Sequence, residues 1–304
     1  MSDPEQRYQQ EQEQSLARIE RGGIPISAER RLRELREGGG AGTFTSDLSV
    51  NGFALCHQLG LKPLSQVMGS SIYQMGYQGA WGAMGYGNSI LLELDSLSEA
   101  LNEVRGRALA RLGEEARVLG ADAVVGVQTR AGESELETGT LALEHVVVGT
   151  AVRRDGARVR DPVLTELSVA EYAMLLQGGF EPLGIVAWSA VFFTSYGLGG
   201  VGMLGGGPMT MGVRSFELRE FTQAIYSARE AVTQRITAQA SSLGASGVVG
   251  VKIGHSVSPR TLGGGVGMRE VSGMMVTFTA AGTAIRERSD TTVKAPKPTI
   301  DLFA

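Results

Sequence analysis

The chain is poor in the residues that form disulfides and soft-metal clusters. Among 304 residues it has one cysteine, Cys56, and three histidines. A single cysteine excludes an intramolecular disulfide, and it excludes a zinc or iron–sulfur site built on several cysteines. This cysteine usage is typical of a reducing compartment, and we expect a cytoplasmic protein.

The chain also lacks the charge of a nucleic-acid-binding protein and the leader of a secreted one. Its net charge is −4 and its pI is about 5.6, whereas a general nucleic-acid binder is usually basic. The N-terminal sequence MSDPEQRYQQEQEQ is polar and has no apolar run of the kind found in signal peptides. We therefore expect no nucleic-acid partner and no secretion signal.

One long segment has no charged residue. Between Glu181 and Arg214 no charge occurs, so residues 183–204 could be mistaken for a membrane span. The segment contains glycines and hydroxyl side chains, which favour a strand followed by a glycine-rich loop over a spanning helix. We predict a strand and a loop here, and a membrane-associated protein is the alternative.

Glycine is abundant, with 43 residues, and three sequence blocks occur twice in the same order. The offsets between the two occurrences are 124, 119 and 133 residues, and they change only where loops would differ in length. The chain is therefore predicted to be a tandem duplication. The paired blocks are ARVLGADAVVGV (116–127) with ASSLGASGVVGV (240–251), LSVNGFALCHQLGLKPL (48–64) with LSVAEYAMLLQGGFEPL (167–183), and GTAVR (149–153) with GTAIR (282–286).

Each copy has the pattern strand, strand, glycine-rich loop, helix, strand, loop, strand. This pattern predicts an α+β fold, in which each copy is a two-layer domain with a small, mainly antiparallel sheet packed by one long helix. The helix of copy one has the capping-box residues Ser96 and Glu99 and a stripe of apolar side chains up to Leu119. The helix of copy two is expected at about 218–243. The strands after the helices are predicted at 123–127, 141–152, 248–253 and 271–285.

Two segments lie outside the copies, one at each end of the sequence. Residues 1–42 are predicted to be a flexible charged region that is partly helical and buries no core. Copy one is expected to span 43–154 and copy two 163–287. Residues 288–304 are predicted to be a disordered tail, and a docking motif for a protein partner at its apolar end is the alternative.

The block LGADAVVGV at 119–127, its echo LGASGVVGV at 243–251 and the closing GTAV and GTAI strands resemble the YbjQ-like family of small bacterial proteins. The family label names heavy-metal binding. The resemblance covers both copies and implies a two-layer domain that assembles into rings of five through added strands. Because one chain carries two copies, two stacked rings from five chains is the simplest closed assembly that it implies.

The family label directs attention to soft-metal ligands, which are usually clusters of cysteine and histidine. The candidates are Cys56, His57, His145 and His255. None of them recurs in the other copy, and Cys56 and His57, if they lie on a strand, point to opposite faces. We therefore expect no cofactor, and a divalent or soft metal ion is the alternative.

Several charged residues do recur at matching positions of the two copies. We interpret them as salt bridges and caps at an interface that orients one domain against the next, with a small-ligand site at the seam as the alternative. The pairs are Asp47 and Glu166, Glu93 and Glu217, Arg105 and Arg229, and Arg153 and Arg286.

Neither copy contains a recognisable catalytic motif. The glycine runs at 197–202 and 263–268 lack the Lys-Ser/Thr pair of a phosphate-binding loop. The loops at 76–88 and 197–212 are rich in glycine, methionine and aromatic residues, which predicts burial between subunits. We expect a non-enzymatic, ring-forming homo-oligomer that acts as an assembly or binding module. A heavy-metal-binding protein and a membrane-associated protein are the alternatives.

Overall fold

A computed structural model describes residues 4–38, 45–75, 91–135, 141–154, 161–195, 217–262 and 271–288. It confirms the α+β class. The N-terminal region and copy one contain α1 (Pro4–Glu20), α2 (Ile26–Glu37), α3 (Val50–Gln58), β1 (Leu61–Met75), β2 (Leu91–Glu93), α4 (Asp95–Leu119), β3 (Ala123–Glu135) and β4 (Leu141–Arg154). Copy two contains β5 (Val163–Leu164), α5 (Val169–Gln177), β6 (Phe180–Ser195), α6 (Arg219–Ser242), β7 (Gly247–Leu262) and β8 (Val271–Glu287).

The strands form two four-stranded sheets, one centred on each copy. Their orders are β1-β4-β3-β5 and β2-β6-β8-β7. All pairings are antiparallel except the short parallel pairing of β5 with β3. The long helices α4 and α6 pack on their own sheets through apolar side chains spaced one helical turn apart, such as Ala108 and Leu112 in α4 and Ala228 and Val232 in α6.

The repeated sequence VVGV has the same structural role in both copies. Gly126 has a φ of 65° and Gly250 a φ of 64°, a left-handed conformation that favours glycine. At both positions the register with the neighbouring strand shifts, between Val125 and Gln128 in β3 and between Val249 and Lys252 in β7. Each strand therefore has a β-bulge at the same place, which explains why this block is the best preserved between the copies.

The sequence pattern predicts a first strand in each copy, but the segment that holds Cys56 and His57 is a helix. These residues lie in helix α3, and the matching segment of copy two is helix α5. The α5 helix begins with a complete capping box between Ser168 and Glu171, and Ser49 accepts a hydrogen bond at the start of α3. Because the caps satisfy the first backbone N–H groups, these short apolar segments form helices.

The N-terminal region also differs from the prediction that it is flexible and buries no core. Helices α1 and α2 lie against copy one, where Ile24 and Leu32 are buried in the same cluster as Leu119. Arg111 of α4 donates hydrogen bonds to the carbonyl oxygens of Gly23 and Ile19, at 3.2 and 2.9 Å. Leu32 and Leu35 of α2 pack in this cluster, so α1 and α2, which we call the N-terminal hairpin, dock on copy one.

The uncharged segment begins with a strand, as predicted. β6 covers residues 180–195, and the rest of the segment lies outside the described residues. Within the described part of the chain, no helix has the length and apolar character needed to cross a membrane. The glycine-rich loops at 76–88 and 197–212 and the tail from 289 onwards also lie outside the described residues.

Candidate assembly interface between the two copies

The two copies exchange strands. β2 belongs to copy one in sequence, but Leu91–Glu93 pair with Phe192–Thr194 of β6 in copy two. In the opposite direction, β5 of copy two pairs with the start of β3 in copy one, and the N–H of Gly126 donates to the carbonyl oxygen of Leu167. Each sheet is therefore completed by the other copy. We call this contact the seam.

Helix α4 contributes a polar face to the seam, made of Ser98, Asn102 and Arg105. The Asn102 amide bonds both backbone groups of Ser189 in β6, each at 2.8 Å. The Ser98 hydroxyl accepts a hydrogen bond from the backbone N–H of Val191 at 2.9 Å. Arg105 donates to the hydroxyl of Ser189 and to the Asn102 side chain. The outer edge of β6, which would otherwise offer unpaired backbone groups, is thus capped by side chains of copy one.

An apolar cluster lies beside these polar contacts. It joins residues of both copies, and its largest fully buried side chain is Phe193 of β6. Burial of such side chains contributes about 1.5–3 kcal/mol each. The cluster contains Leu94, Ala100, Leu101, Val104 and Leu143 of copy one and Val191, Phe193 and Met275 of copy two.

Three titratable groups are buried near the seam. Arg105 is 7% exposed, and burial lowers its pKa to about 10, while the carboxylate of Glu166 opposes this shift. Burial raises the pKa of Glu166, although Lys252 lies 3.4 Å away and favours the charged carboxylate. His145 is 2% exposed, and its two ring nitrogens have no hydrogen-bond partner among the described residues. Burial and the nearby Arg105 lower the pKa of His145 to about 4, so its ring is neutral at pH 7.

The four metal candidates do not come together in the structure. Cys56 is buried in α3 against a cluster that includes Val152, and His57 is exposed on the same helix. His145 lies in β4, seven residues from Val152, or roughly 23 Å along the strand. His255 is exposed on β7 of copy two. In the described ranges no group of three or more His, Cys, Asp or Glu residues is arranged to hold a metal ion.

The recurring charged pairs differ in their surroundings. Asp47 forms hydrogen bonds with Thr150 of its own copy, whereas Glu166 forms an ion pair with Lys252. Arg105 is buried in the seam and its counterpart Arg229 is exposed.

The other recurring pairs lie outside the polar contacts of the seam. Glu217 accepts a hydrogen bond from Thr222 at 2.9 Å, and Glu93 lies in β2, where burial raises its pKa. Arg286 forms an ion pair with Glu181, and Arg153 lies beside Gly120 as Arg286 lies beside Gly244.

Sequence reasoning missed Ser98 and Asn102. A search for residues that recur in both copies cannot find them, because their counterparts in α6 are Thr222 and Tyr226. The signal that could have found them is a polar stripe on α4 at helical spacing, Ser98, Asn102 and Arg105, of which copy two keeps the hydroxyl and the arginine and replaces the amide by Tyr226.

The architecture and the seam define a class: a duplicated α+β domain whose copies complete each other's sheets. The chain belongs to the YbjQ family, whose model is described as "Putative heavy-metal-binding" and matches residues 66–155 and 209–288. This match confirms the tandem duplication.

The chain is also similar to the encapsulin nanocompartment protein Rv1762c of Mycobacterium tuberculosis. The two are 36% identical over 252 residues, which cover 80% of this chain and 86% of that protein. No solved structure matches the chain.

Proposed function

We propose that this protein is a non-catalytic structural subunit that assembles with itself into a closed ring, and that the ring is a component of a protein nanocompartment. One observation carries the proposal: the two copies within a chain are joined as neighbouring subunits of an assembly are joined, by strands added across a shared interface. The similarity to a protein named for an encapsulin nanocompartment supports an assembly role.

The seam has the features of a permanent interface. It combines a shared apolar cluster with hydrogen bonds that cap an open sheet edge. Obligate interfaces resemble the core of a domain in this way. Because each chain carries two copies, a ring made by repeating such a contact contains an even number of domains. Five chains joined in this way form one ring of ten domains, whereas two stacked rings of five would use the seam as the contact between the rings.

Native mass spectrometry of the purified chain tests the proposal. We expect a single oligomer of two or more chains of 32.1 kDa at micromolar concentration, with five chains giving about 160 kDa. Negative-stain images are expected to contain ring-shaped particles, and the tagged protein is expected to sediment with particles of megadalton size from its native cell. A monomer of 32.1 kDa at this concentration would contradict the proposal.

A further inference from the structure

We propose that a second copy of this chain docks head to tail on the first through a repeat of the seam, with helix α6 of one chain against the outer edge of β1 of the next. This inference rests on the proposed self-assembly and names the surfaces that carry it. Within a chain, α4 of copy one packs on the edge of β6. The corresponding elements, α6 and β1, both have exposed side chains at these faces in the described part of the single chain.

Copy two exposes residues whose counterparts are buried in copy one. Leu218 is 44% exposed, whereas the matching Leu94 is 6% exposed. Val251 is 47% exposed and the matching Val127 is 1% exposed, because Val127 lies where β5 joins β3. We define the α6 face as Leu218, Tyr226 and Arg229, which correspond to Leu94, Asn102 and Arg105.

Copy one exposes the complementary surface on β1. Ile72 is 72% exposed, whereas the matching Val191 in β6 is fully buried against α4. Ser70 is exposed, and its counterpart Ser189 is 2% exposed beneath Asn102 and Arg105. We define the β1 edge as Met68, Ser70 and Ile72, which correspond to Ala187, Ser189 and Val191.

The backbone of the β1 edge also has outward N–H groups that a second chain could bind. The outward N–H groups of a strand occur on alternate residues, and that of Met68 bonds the carboxylate of Glu115 at 2.9 Å. The next outward groups belong to Ser70 and Ile72, and no described residue accepts a hydrogen bond from either N–H. In copy two the equivalent N–H groups of Ser189 and Val191 bond α4.

The helix and the edge strand have the same relation in both copies, so the contact can be repeated. Glu115 of α4 bonds the N–H of Met68, and at the matching positions Gln239 of α6 bonds the N–H of Ala187 at 3.0 Å. The occupant of the β1 edge is therefore a second copy of this chain, presenting the α6 face. Such a contact joins two different surfaces, and it forms a ring when the rotation closes.

The repeated contact keeps the arginine–serine pair of the seam and the hydroxyl at the position of Ser98, which is Thr222, and it changes the amide at the position of Asn102. Arg229 takes the place of Arg105 and meets Ser70 in place of Ser189. The carbonyl oxygen of Ser70 already accepts a hydrogen bond from Arg111, so its hydroxyl and N–H are the groups left for the neighbouring chain. Tyr226 is 60% exposed and replaces Asn102 with an aromatic side chain suited to packing on Ile72.

Site-directed crosslinking tests the contact. In the seam, Ser98 bonds the N–H of Val191, and the matching positions between chains are Thr222 and Ile72. The double variant I72C/T222C, oxidised or treated with a short bismaleimide, is expected to give covalent dimers and higher multiples of 32.1 kDa. The control I72C/S242C moves the second cysteine about 30 Å along α6 and is expected to stay at the monomer mass after denaturation.

A charge substitution provides a second readout. I72E is expected to weaken assembly at least tenfold in Kd, because a carboxylate would be buried against the α6 face. It should leave the far-ultraviolet circular dichroism of the single chain unchanged, since Ile72 is exposed there. The control is L16E, which changes an exposed residue of α1.

The outcomes are distinguishable. If the wild-type chain is a monomer, the proposed function fails. If the wild type assembles but I72C/T222C crosslinks no more than its control and I72E keeps the full mass, this head-to-tail contact is wrong and the proposed function stands.

Discussion

His145 lies in β4 with its imidazole inside the protein and near the guanidinium of Arg105. The carboxyl group of Glu166 interacts with the same guanidinium. A protonated imidazole here would face a buried positive charge without a hydrogen-bond acceptor among the described residues. Burial and repulsion both favour the neutral ring, which makes this residue a source of acid sensitivity.

We expect the free energy of unfolding to fall as the pH is lowered from 6.5 to 4. The pKa of His145 is lowered from 6.5 to about 4, so in this window the unfolded chain binds more protons than the folded one. The stabilisation by neutral His145 is complete above pH 6.5 and decreases by about 2–3 kcal/mol towards pH 4. Urea unfolding at several pH values measures this decrease, and H145F is expected to lose it.

The control for this prediction is H57F, which changes an exposed histidine on α3 and should keep the wild-type pH dependence. Burial raises the pKa of Glu166, whose contribution has the opposite sign, decreasing as the pH rises through its raised pKa. H145F and H57F both keep the contribution of Glu166, so the difference between their pH dependences measures the contribution of His145. Parallel curves for H145F and wild type between pH 4 and 6.5 would refute the assignment.

Single residues also mark a limit of prediction from sequence. The repeat shows that Arg105 and Arg229 occupy matching positions. It does not show that Arg105 is buried and Arg229 exposed. Burial depends on which element of the other copy lies opposite, and the repeat carries no information about this. Asn102, which bonds both backbone groups of Ser189, is matched by Tyr226 in copy two, so recurrence between the copies could not indicate its role.

At the scale of elements, the long helices and the strands that follow them could be predicted. Their periodic apolar residues are strong local signals, and so is Gly120, which ends the helix of copy one in a left-handed conformation. The short helices α3 and α5 could not be separated from strands by periodicity, because brief apolar segments suit both. Their caps decide the outcome, and the capping box of Ser168 and Glu171 is visible in the sequence.

Helices α1 and α2 dock on copy one through the buried residues Ile24 and Leu32 and the hydrogen bonds of Arg111. Leu32 is fully buried against copy one, and we expect L32A to cost about 2–5 kcal/mol in the docking of this hairpin. Because Leu32 is the buried residue of α2, loss of its side chain should weaken the docking of the hairpin without unfolding the two copies. Hydrogen exchange of the α2 amides measures it.

The matched control is L16A, since Leu16 is 60% exposed on α1. It should leave the protection of α2 unchanged. Equal protection of α2 in L32A and in wild type would show that Leu32 does not hold the hairpin.

At the scale of the whole molecule, the seam should hold the copies together without a covalent link. A protease site placed within residues 155–160 allows the chain to be cut between the copies. We expect the two fragments to co-elute in size-exclusion chromatography at the position of the uncut protein, because each completes the other's sheet.

Adding N102A to the cut chain should weaken the association, because the backbone groups of Ser189 would be left unpaired at a cost of about 1–3 kcal/mol. The exposed N51A is the control. Separation of the wild-type fragments after cleavage would contradict an interlocked seam.

The N-terminal hairpin covers the long helix of copy one, while Leu243 of copy two, the counterpart of the covered Leu119, stays 44% exposed. In a head-to-tail ring, therefore, only every second domain carries an N-terminal hairpin. The order of the rotational symmetry axis is half that of a ring with the same number of identical single domains. Along the ring, long helices covered by the N-terminal hairpin alternate with exposed ones. Any molecule that recognises one kind of position can bind at most once per chain.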